Sequence, residues 1–357
     1  MAIHIDGIIF SLQRQGGISV YTQQLLHYLA TQQAATALTL ETPLTQQVEG
    51  FDGSPNFTVL PRNARPAERY LRCRTPATAE VFHSSYYRRP SRANIPTVVT
   101  VHDFIYERFS RGPRRWVHMA QKHAAIRAAQ SIICISEATR TDLEEWVGIR
   151  PDQQVHVIYN GVADTFKPLP TAMSSTRPYI LYIGERGGYK NFSLVVEAMK
   201  LLPEFALHCV GGGSLRPEEL DAMPNTVRNR VFHLGFVTDE ALNEQYNGAA
   251  CLAYPSSYEG FGIPVVEAMR AGCPVVCIDC KAVLEVGGPA LTVAPAADPQ
   301  ALAEAITKVC SPEHRRAVIA KGLSMAQRYS WQNTHSKTLQ VYCELGFQPS
   351  RIDLYPR

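Results

Sequence analysis

Short apolar runs recur along this chain with an amphipathic stretch after each, and that alternation restricts it to parallel α/β units. Residues 2–10 read as a first strand, and Gly16-Gly17 open a helix through Tyr21, Leu25, Leu26 and Leu29. Strands at 98–101, 132–135 and 155–158 follow. The pattern restarts at Tyr179–Ile183, with a helix carrying Leu194, Val195, Ala198, Met199 and Leu202, then strands at 206–210, 231–234, 250–254 and 274–278. Between the halves, residues 166–178 hold Pro168, Pro170 and Pro178 in a polar run, which predicts an extended linker near 167–176. A length of 357 residues suits two domains, 1–168 and 171–330, with a tail at 331–357. Two such domains joined by a linker offer a cleft for a small molecule.

Composition narrows the classes. Hydrophobic content of 45% with 19% charged residues is that of a globular protein, and a net charge of +3 is too small to argue for nucleic acid. The charge is uneven, however. Residues 62–115 hold twelve arginines, no lysine and four acidic residues, a local +8 interleaved with Tyr70, Tyr86, Tyr87, Tyr106, Phe109 and Trp116. Such a stretch suits phosphate groups or an anionic membrane surface, and equally a solvated arginine-rich face. Nine scattered cysteines read as buried thiols in a reducing compartment, not a disulfide framework. Cys273, Cys277 and Cys280 fall in one apolar strand with no partner motif, so zinc is not expected. His4 and Asp6 interrupt the opening apolar stretch, which argues against a signal peptide, and no run reaches the ~20 residues of a membrane span. The expected place is the cytoplasm, at most peripheral to the inner face of a membrane.

The densest chemical signal is Glu259-Gly260-Phe261-Gly262-Ile263-Pro264-Val265-Val266-Glu267, directly after a strand. Pro264 suits the first position of a helix and Gly272 the position past its end. The glycines admit a ligand close to the backbone, and amides near Gly262 and Ile263 lie at the positive end of the helix. Glu259 before the helix and Glu267 one turn inside can accept hydrogen bonds from vicinal hydroxyls, as of a sugar and a ribose. A second signal is Gly184-Glu-Arg186-Gly-Gly-Tyr-Lys190-Asn191, a thin strand-to-helix loop with two cations and Asn191 placed to cap the helix. Its charges suit a diphosphate, although it lacks the Gly-Lys-Ser/Thr of a Walker loop. Gly16-Gly17 serve a tight turn or a phosphate approach, and His102-Asp103 close a strand where functional residues of parallel sheets gather.

Together with Ile135-Ser136-Glu137 and Asn160-Gly161-Val162, these motifs in this order resemble glycosyltransferase family 4 of the GT-B fold, over nearly the whole chain. The resemblance is strongest to bacterial transferases that build O-antigen, capsule or exopolysaccharide. It implies two Rossmann-like domains facing across a cleft, the first for an acceptor and the second for a nucleotide sugar. It implies that Arg186 and Lys190 hold the diphosphate, with Gly16, Gly17 and Asp103 also on the donor side. Glu259 and the amides of Gly260, Phe261, Gly262 and Ile263 would hold the sugar, Glu267 the ribose, and Phe236 and Val237 the base. His102 would contact the sugar near the reacting carbon. The chain from Trp331 to about Leu345 resembles a last helix returning to the first domain. One departure stands out: Glu185 separates Gly184 from Arg186, where many relatives have arginine directly after the glycine.

The implied chemistry is transfer of a hexose with retention, without a protein nucleophile, the leaving diphosphate taking the acceptor's proton. No Asp-X-Asp pair occurs, so neither metal nor cofactor is expected. GDP-mannose is the leading donor and a UDP-hexose the runner-up, with a glycan or lipid-diphosphate-linked glycan as acceptor. Readings from other classes are a nucleotide-sugar 2-epimerase or a phosphorylase of the same two-domain plan, and a carbohydrate-binding protein without activity. A dehydrogenase fits less well, because neither glycine-rich stretch has the last glycine of the dinucleotide fingerprint.

Overall fold

A computed structural model describes residues 2–13, 16–31, 37–43, 57–62, 67–170 and 177–348. Arg65, the side chain of Arg62, linker residues 171–176 and the tail beyond 348 lie outside them. The chain forms two compact units, Met1–Gly161 with Trp331–Arg357, and Val162–Ser330.

The first unit is a seven-stranded sheet in the order β3-β2-β1-β4-β5-β6-β7, every pairing parallel. Its strands are β1 (Ala2–Asp6), β2 (Ala37–Pro43), β3 (Phe57–Arg62), β4 (Ala79–Ser84), β5 (Thr97–Val101), β6 (Ser131–Cys134) and β7 (Gln154–Val157). Its helices begin with α1 (Ile8–Leu12), α2 (Gly17–Thr31), α3 (Ile105–Phe109), α4 (Pro113–Ala128) and α5 (Glu137–Trp146). β1 and β5 are buried at every position, which is why they read as continuous apolar runs. The expected strand at 2–10 stops at Asp6. Asp6 Oδ1 accepts the Ile8 amide at 3.1 Å, an Asx-type turn that starts α1 instead. Gly16-Gly17 therefore follow a short helix, not the strand itself. Asp6 Oδ1 also accepts from Arg88 Nη1 at 2.9 Å, with both side chains buried, and Arg88 donates further to the carbonyls of Leu71 and Arg72.

The second unit is a six-stranded parallel sheet in the order β10-β9-β8-β11-β12-β13. These strands are β8 (Tyr179–Ile183), β9 (Ala206–Val210), β10 (Val231–Gly235), β11 (Cys251–Tyr254), β12 (Val275–Cys277) and β13 (Leu291–Val293). Its helices are α6 (Phe192–Ala198), α7 (Pro217–Asp221), α8 (Asn225–Arg228), α9 (Asp239–Gly248), α10 (Ile263–Ala271), α11 (Lys281–Gly287), α12 (Pro299–Cys310) and α13 (Pro312–Ala326). Asp298 caps α12 by accepting the Ala301 amide at 2.8 Å, Pro299 follows, and Leu302, Ile306 and Val309 on one face enter the core with Leu207 and Val276. Cys273, Cys277 and Cys280 are buried, and burial pushes their thiols up to about 12, 12 and 11, so they serve packing.

After the second unit, α14 (Trp331–Glu344) rejoins the first. Its Leu339, Val341 and Tyr342 share one core with Ile3, Ile5, Tyr21, Leu25 and Val98. Tyr342 Oη meets His83 Nδ1 at 2.5 Å, and His83 Nε2 meets Thr100 Oγ1 at 2.9 Å, which ties the helix to β4 and β5. Among the described residues no helix is long and apolar enough to cross a membrane.

Removing one member of a buried ion pair strands the other charge, whereas an exposed pair contributes little. Arg88→Ala should therefore cost about 3–5 kcal/mol in urea unfolding. Arg150→Ala, which breaks the exposed pair with Asp152, should change stability far less. Equal effects of the two substitutions would refute this reading of Arg88.

Candidate functional site

In each unit the strand order reverses beside its first strand, between β1 and β4 in the first and between β8 and β11 in the second. Parallel sheets leave a crevice for ligands at the carboxyl ends of the strands at such a reversal. The polar residues singled out in the sequence collect there.

In the second unit the loops after β8 and β11 are stitched together. The Ser257 amide donates to the Tyr189 carbonyl at 2.8 Å, and Asn191 Nδ2 donates to the Pro255 carbonyl at 2.8 Å. Asn191 does not cap α6 with its side chain as expected. It stands at the N-cap in the left-handed region, φ 51°, which asparagine tolerates, and its amide ties the loops instead. Lys190 Nζ donates to Glu259 Oε1 at 2.5 Å and lies 3.4 Å from Tyr254 Oη. Both charged side chains are mostly buried.

Arg186 sits in the same loop but turns inward. Its Nε and Nη2 reach Glu219 at 3.1 and 3.4 Å, Nη1 reaches the Gly211 carbonyl at 3.2 Å, and Nη2 also reaches the Ser214 carbonyl at 2.7 Å. Those four bonds leave one of a guanidinium's five N–H groups. Glu219, on α7, also accepts the Arg216 amide at 2.8 Å, and these donors hold its carboxyl down at about 2 against the opposing effect of burial. Gly211, Gly212 and Gly213 are all left-handed, and a Cβ on Gly212 would lie 2.6 Å from the Gly184 carbonyl oxygen. Only glycine brings these loops so close.

α10 starts at Ile263 behind Gly262, which is left-handed at φ 98° and has no side chain to cap the helix. Pro264 is thus the second helical residue, not the first, and Gly272 ends the helix at φ 75°. Gly260 and Phe261 are buried in the approach to the helix. Glu267, one turn in, accepts from Tyr246 Oη at 2.8 Å. Burial pushes the Glu267 carboxyl from its ordinary 4.5 up to about 7, the tyrosine bond opposing this and the charge of Asp239 adding to it. After β10, Phe236 is 71% exposed and Val237 partly so.

In the first unit, His102 and Asp103 follow β5. His102 is buried, its ring edge-on to Tyr21 at 5.1 Å, and it shares a small hollow with Tyr21, His83, Ser84 and Thr100. Burial, then His83 and Lys122, lower its pKa to about 3, so the imidazole is neutral near pH 7. Asp103 Oδ1 accepts the Ile105 amide at 3.0 Å, and its carbonyl accepts from the buried Lys122 ammonium. Gly16 and Gly17 open α2. Ser136 caps α5 through the Thr139 amide at 2.9 Å, and Asn160 is buried.

The arginine-rich stretch is less uniform than its sequence. Arg88 points inward, Arg108 pairs with Asp142 and Glu145, and Arg92 donates to three carbonyls. Arg72, Arg74, Arg89, Arg111 and Arg114 remain exposed, with Tyr70, Leu71, Phe109, Trp116 and Val117. Sequence reasoning missed Glu219, Tyr246, His83 and Tyr342. The one local signal was Glu219 three residues after Arg216, at the capping-box position.

Residues 15–166 match the model of Glycosyltransferase Family 4, and residues 167–323 match that of Glycosyl transferases group 1. The O-antigen chain mannosyltransferase B of Escherichia coli is 28% identical over 73% of this chain and 74% of its own. The serotype-specific mannosyltransferase WbdA of Escherichia coli is 25% identical over 71% of this chain, a match that spans 34% of WbdA. Sucrose-phosphate synthase from Thermosynechococcus elongatus superposes with a TM-score of 0.77 at 20% identity, covering 97% of this chain and 99% of its own, a likeness of fold. Both units thus carry the family's pattern on its fold, and the chain belongs to glycosyltransferase family 4, with the GT-B fold.

Proposed function

We propose that this glycosyltransferase moves a hexose, with retention, from a nucleotide-diphospho-sugar to a glycan or lipid-diphosphate-linked glycan of a bacterial surface polysaccharide. GDP-mannose is the donor we favour, in keeping with mannosyltransferases among its relatives. The observation that carries the reading is the Lys190–Glu259 pair at the strand-order reversal of the second unit, beside the uncapped start of α10.

In this reading the diphosphate binds Lys190 and the α10 amides, where its charge is offset by the ammonium and the helix dipole. Arg186 contributes its remaining N–H and otherwise braces the loop. Glu259, Gly260, Phe261, Gly262 and Ile263 hold the sugar, Glu267 the ribose hydroxyls, and Phe236 and Val237 the base. Gly16, Gly17, His102 and Asp103 serve from the first unit, which also takes the acceptor. A neutral His102 meets the sugar through a hydrogen bond and is no proton donor near pH 7. The departing diphosphate takes the acceptor's proton, so catalysis is positioning plus charge stabilisation, without metal or cofactor. The exposed arginines and aromatics of the first unit dock the enzyme on an anionic membrane surface.

Among GDP-, UDP-, ADP- and dTDP-sugars, GDP-mannose should raise the melting temperature most, since at 100 times its Kd a ligand stabilises by about 2.7 kcal/mol. Greater stabilisation by a UDP-hexose would overturn the donor assignment. Lys190→Ala should lose about 10- to 150-fold in kcat/KM, the scale of one charged hydrogen bond, and a near-normal rate would remove Lys190 from the diphosphate site.

Only an ionised Glu267 accepts both ribose hydroxyls. Nucleotide affinity should therefore fall about 10-fold per pH unit below 7, with a proton released on binding, and Glu267→Gln should flatten that slope. In the free protein the raised pKa stabilises the fold below pH 4.5, and this contribution is lost as pH rises through about 7. Calorimetry in buffers of different ionisation enthalpy reads the proton; a pH-independent affinity in the parent rules out the ribose role. Arg111→Glu with Arg114→Glu should reduce co-sedimentation with phosphatidylglycerol vesicles severalfold, and unchanged sedimentation would dismiss the membrane dock.

A further inference from the structure

A buried hydroxyl keeps its proton on an acceptor, so a chain of buried polar groups can be read from its ends. Tyr342 is fully buried, and among the described residues its hydroxyl has one partner, His83 Nδ1 at 2.5 Å. Tyr342 therefore donates and Nδ1 accepts, which puts the proton of a neutral His83 on Nε2. Nε2 then donates to Thr100 Oγ1 at 2.9 Å, and Thr100 donates in turn to Tyr21 Oη at 3.3 Å. At the far end, Thr338 hydrogen-bonds the Tyr21 hydroxyl and gives its own proton to the Thr334 carbonyl at 2.9 Å. Both ends give one direction, from Tyr342 through His83, Thr100 and Tyr21 to Thr338. A charged imidazole has no acceptor nitrogen and would break the chain, and burial keeps His83 neutral, its pKa lowered to about 3.

Stability alone does not call for such a network. Apolar groups of the same shape can fill a core equally well, because buried hydrogen bonds replace those made with water. What a fully satisfied buried network adds is one fixed geometry. Here the fixed element is the ring of Tyr21, one turn inside α2. Trp331 and His335 of α14 pack against the same ring at 6.1 and 5.6 Å.

The Tyr21 ring in turn locates His102. Tyr87 hydrogen-bonds the backbone of His102, whereas its imidazole is placed by packing, edge-on to Tyr21 at 5.1 Å and 81°. The small hollow that both residues share with His83, Ser84 and Thr100 leaves room for the imidazole to tilt if Tyr21 shifts. Thr100 lies two residues before His102 on the same strand end, so the chain fixes Tyr21 relative to the backbone that carries His102.

We infer that Tyr21 is a positioning residue for His102, its hydroxyl held by Thr100, His83 and Tyr342, and that this chain aims the imidazole at the donor sugar. The aim at a sugar rests on the glycosyl transfer proposed above and deepens it. The placing of His102 by Tyr21 stands on the contacts alone.

The test follows conversion of GDP-mannose and water to GDP and mannose by the whole protein. Tyr21→Phe keeps the ring and loses the hydroxyl. It should lower kcat about 2- to 12-fold, the scale of one neutral hydrogen bond, with KM within about twofold. Tyr342→Phe cuts the chain at its other end and should lower kcat in the same sense; should Tyr21→Phe fail to fold, it carries the same comparison. In a His102→Ala background neither substitution should slow the reaction further, because the group being positioned is gone. The same factor in both backgrounds makes Tyr21 ordinary core and overturns the inference, as does an unchanged kcat in Tyr21→Phe. The Cε1–H proton resonance of His102, identified by its loss in His102→Ala, gives a readout without turnover. Tyr21→Phe should displace that line and exposed Arg150→Ala should not; equal displacement by both counts against the placing of His102 by Tyr21. A parent inert toward GDP-, UDP-, ADP- and dTDP-sugars would strike the transfer reading instead. The resonance then judges the positioning, and a line unmoved by Tyr21→Phe refutes it.

Discussion

A parallel sheet covered on both faces has no place for charge except at the ends of its strands or in fully paired interior groups. Both units obey that constraint, and the chemistry of this chain follows from it. Lys190 meets Glu259 across 69 positions of sequence because β8 and β11 lie side by side where the strand order reverses. The connections Asn191–Pro255 and Ser257–Tyr189 then hold the two loops as one surface. In the reading proposed above, a diphosphate would meet donors already fixed in place, with little reorganisation needed at the moment of reaction.

The two cations of that loop have separated roles. Among the described residues Lys190 makes a single ion pair, with Glu259, whereas Arg186 is held by Glu219 and two carbonyls behind a bend of three left-handed glycines. One residue is free to trade partners and the other fixes the loop's shape. In the first unit the buried Asp6–Arg88 pair is likewise structural.

The sequence is most readable where structure is local. Tyr179–Ile183 is a strand with those bounds because its apolar run is unbroken, and Ala206–Val210 because only His208 interrupts its run. β4 escaped notice because Glu80, His83 and Ser84 break its apolar run, although His83 is satisfied by Tyr342 from 259 positions away. β13 has only three residues, too few for a period. The motif residues were legible by type, but their partners were not. Nothing near Arg186 announces Glu219, and nothing near Glu267 announces Tyr246, since both contacts are made by folding.

The position of α14 bears on how the protein is made. The sheet of the first unit is complete at Val157, yet its core still lacks Leu339, Val341 and Tyr342 until residues 331–344 have been made. The second unit is continuous in sequence and can close while synthesis proceeds. The first must wait through its neighbour's entire translation with an apolar groove along α2 and the His83 ring uncapped. Of the two units, the one begun earlier is therefore the one whose core is completed later.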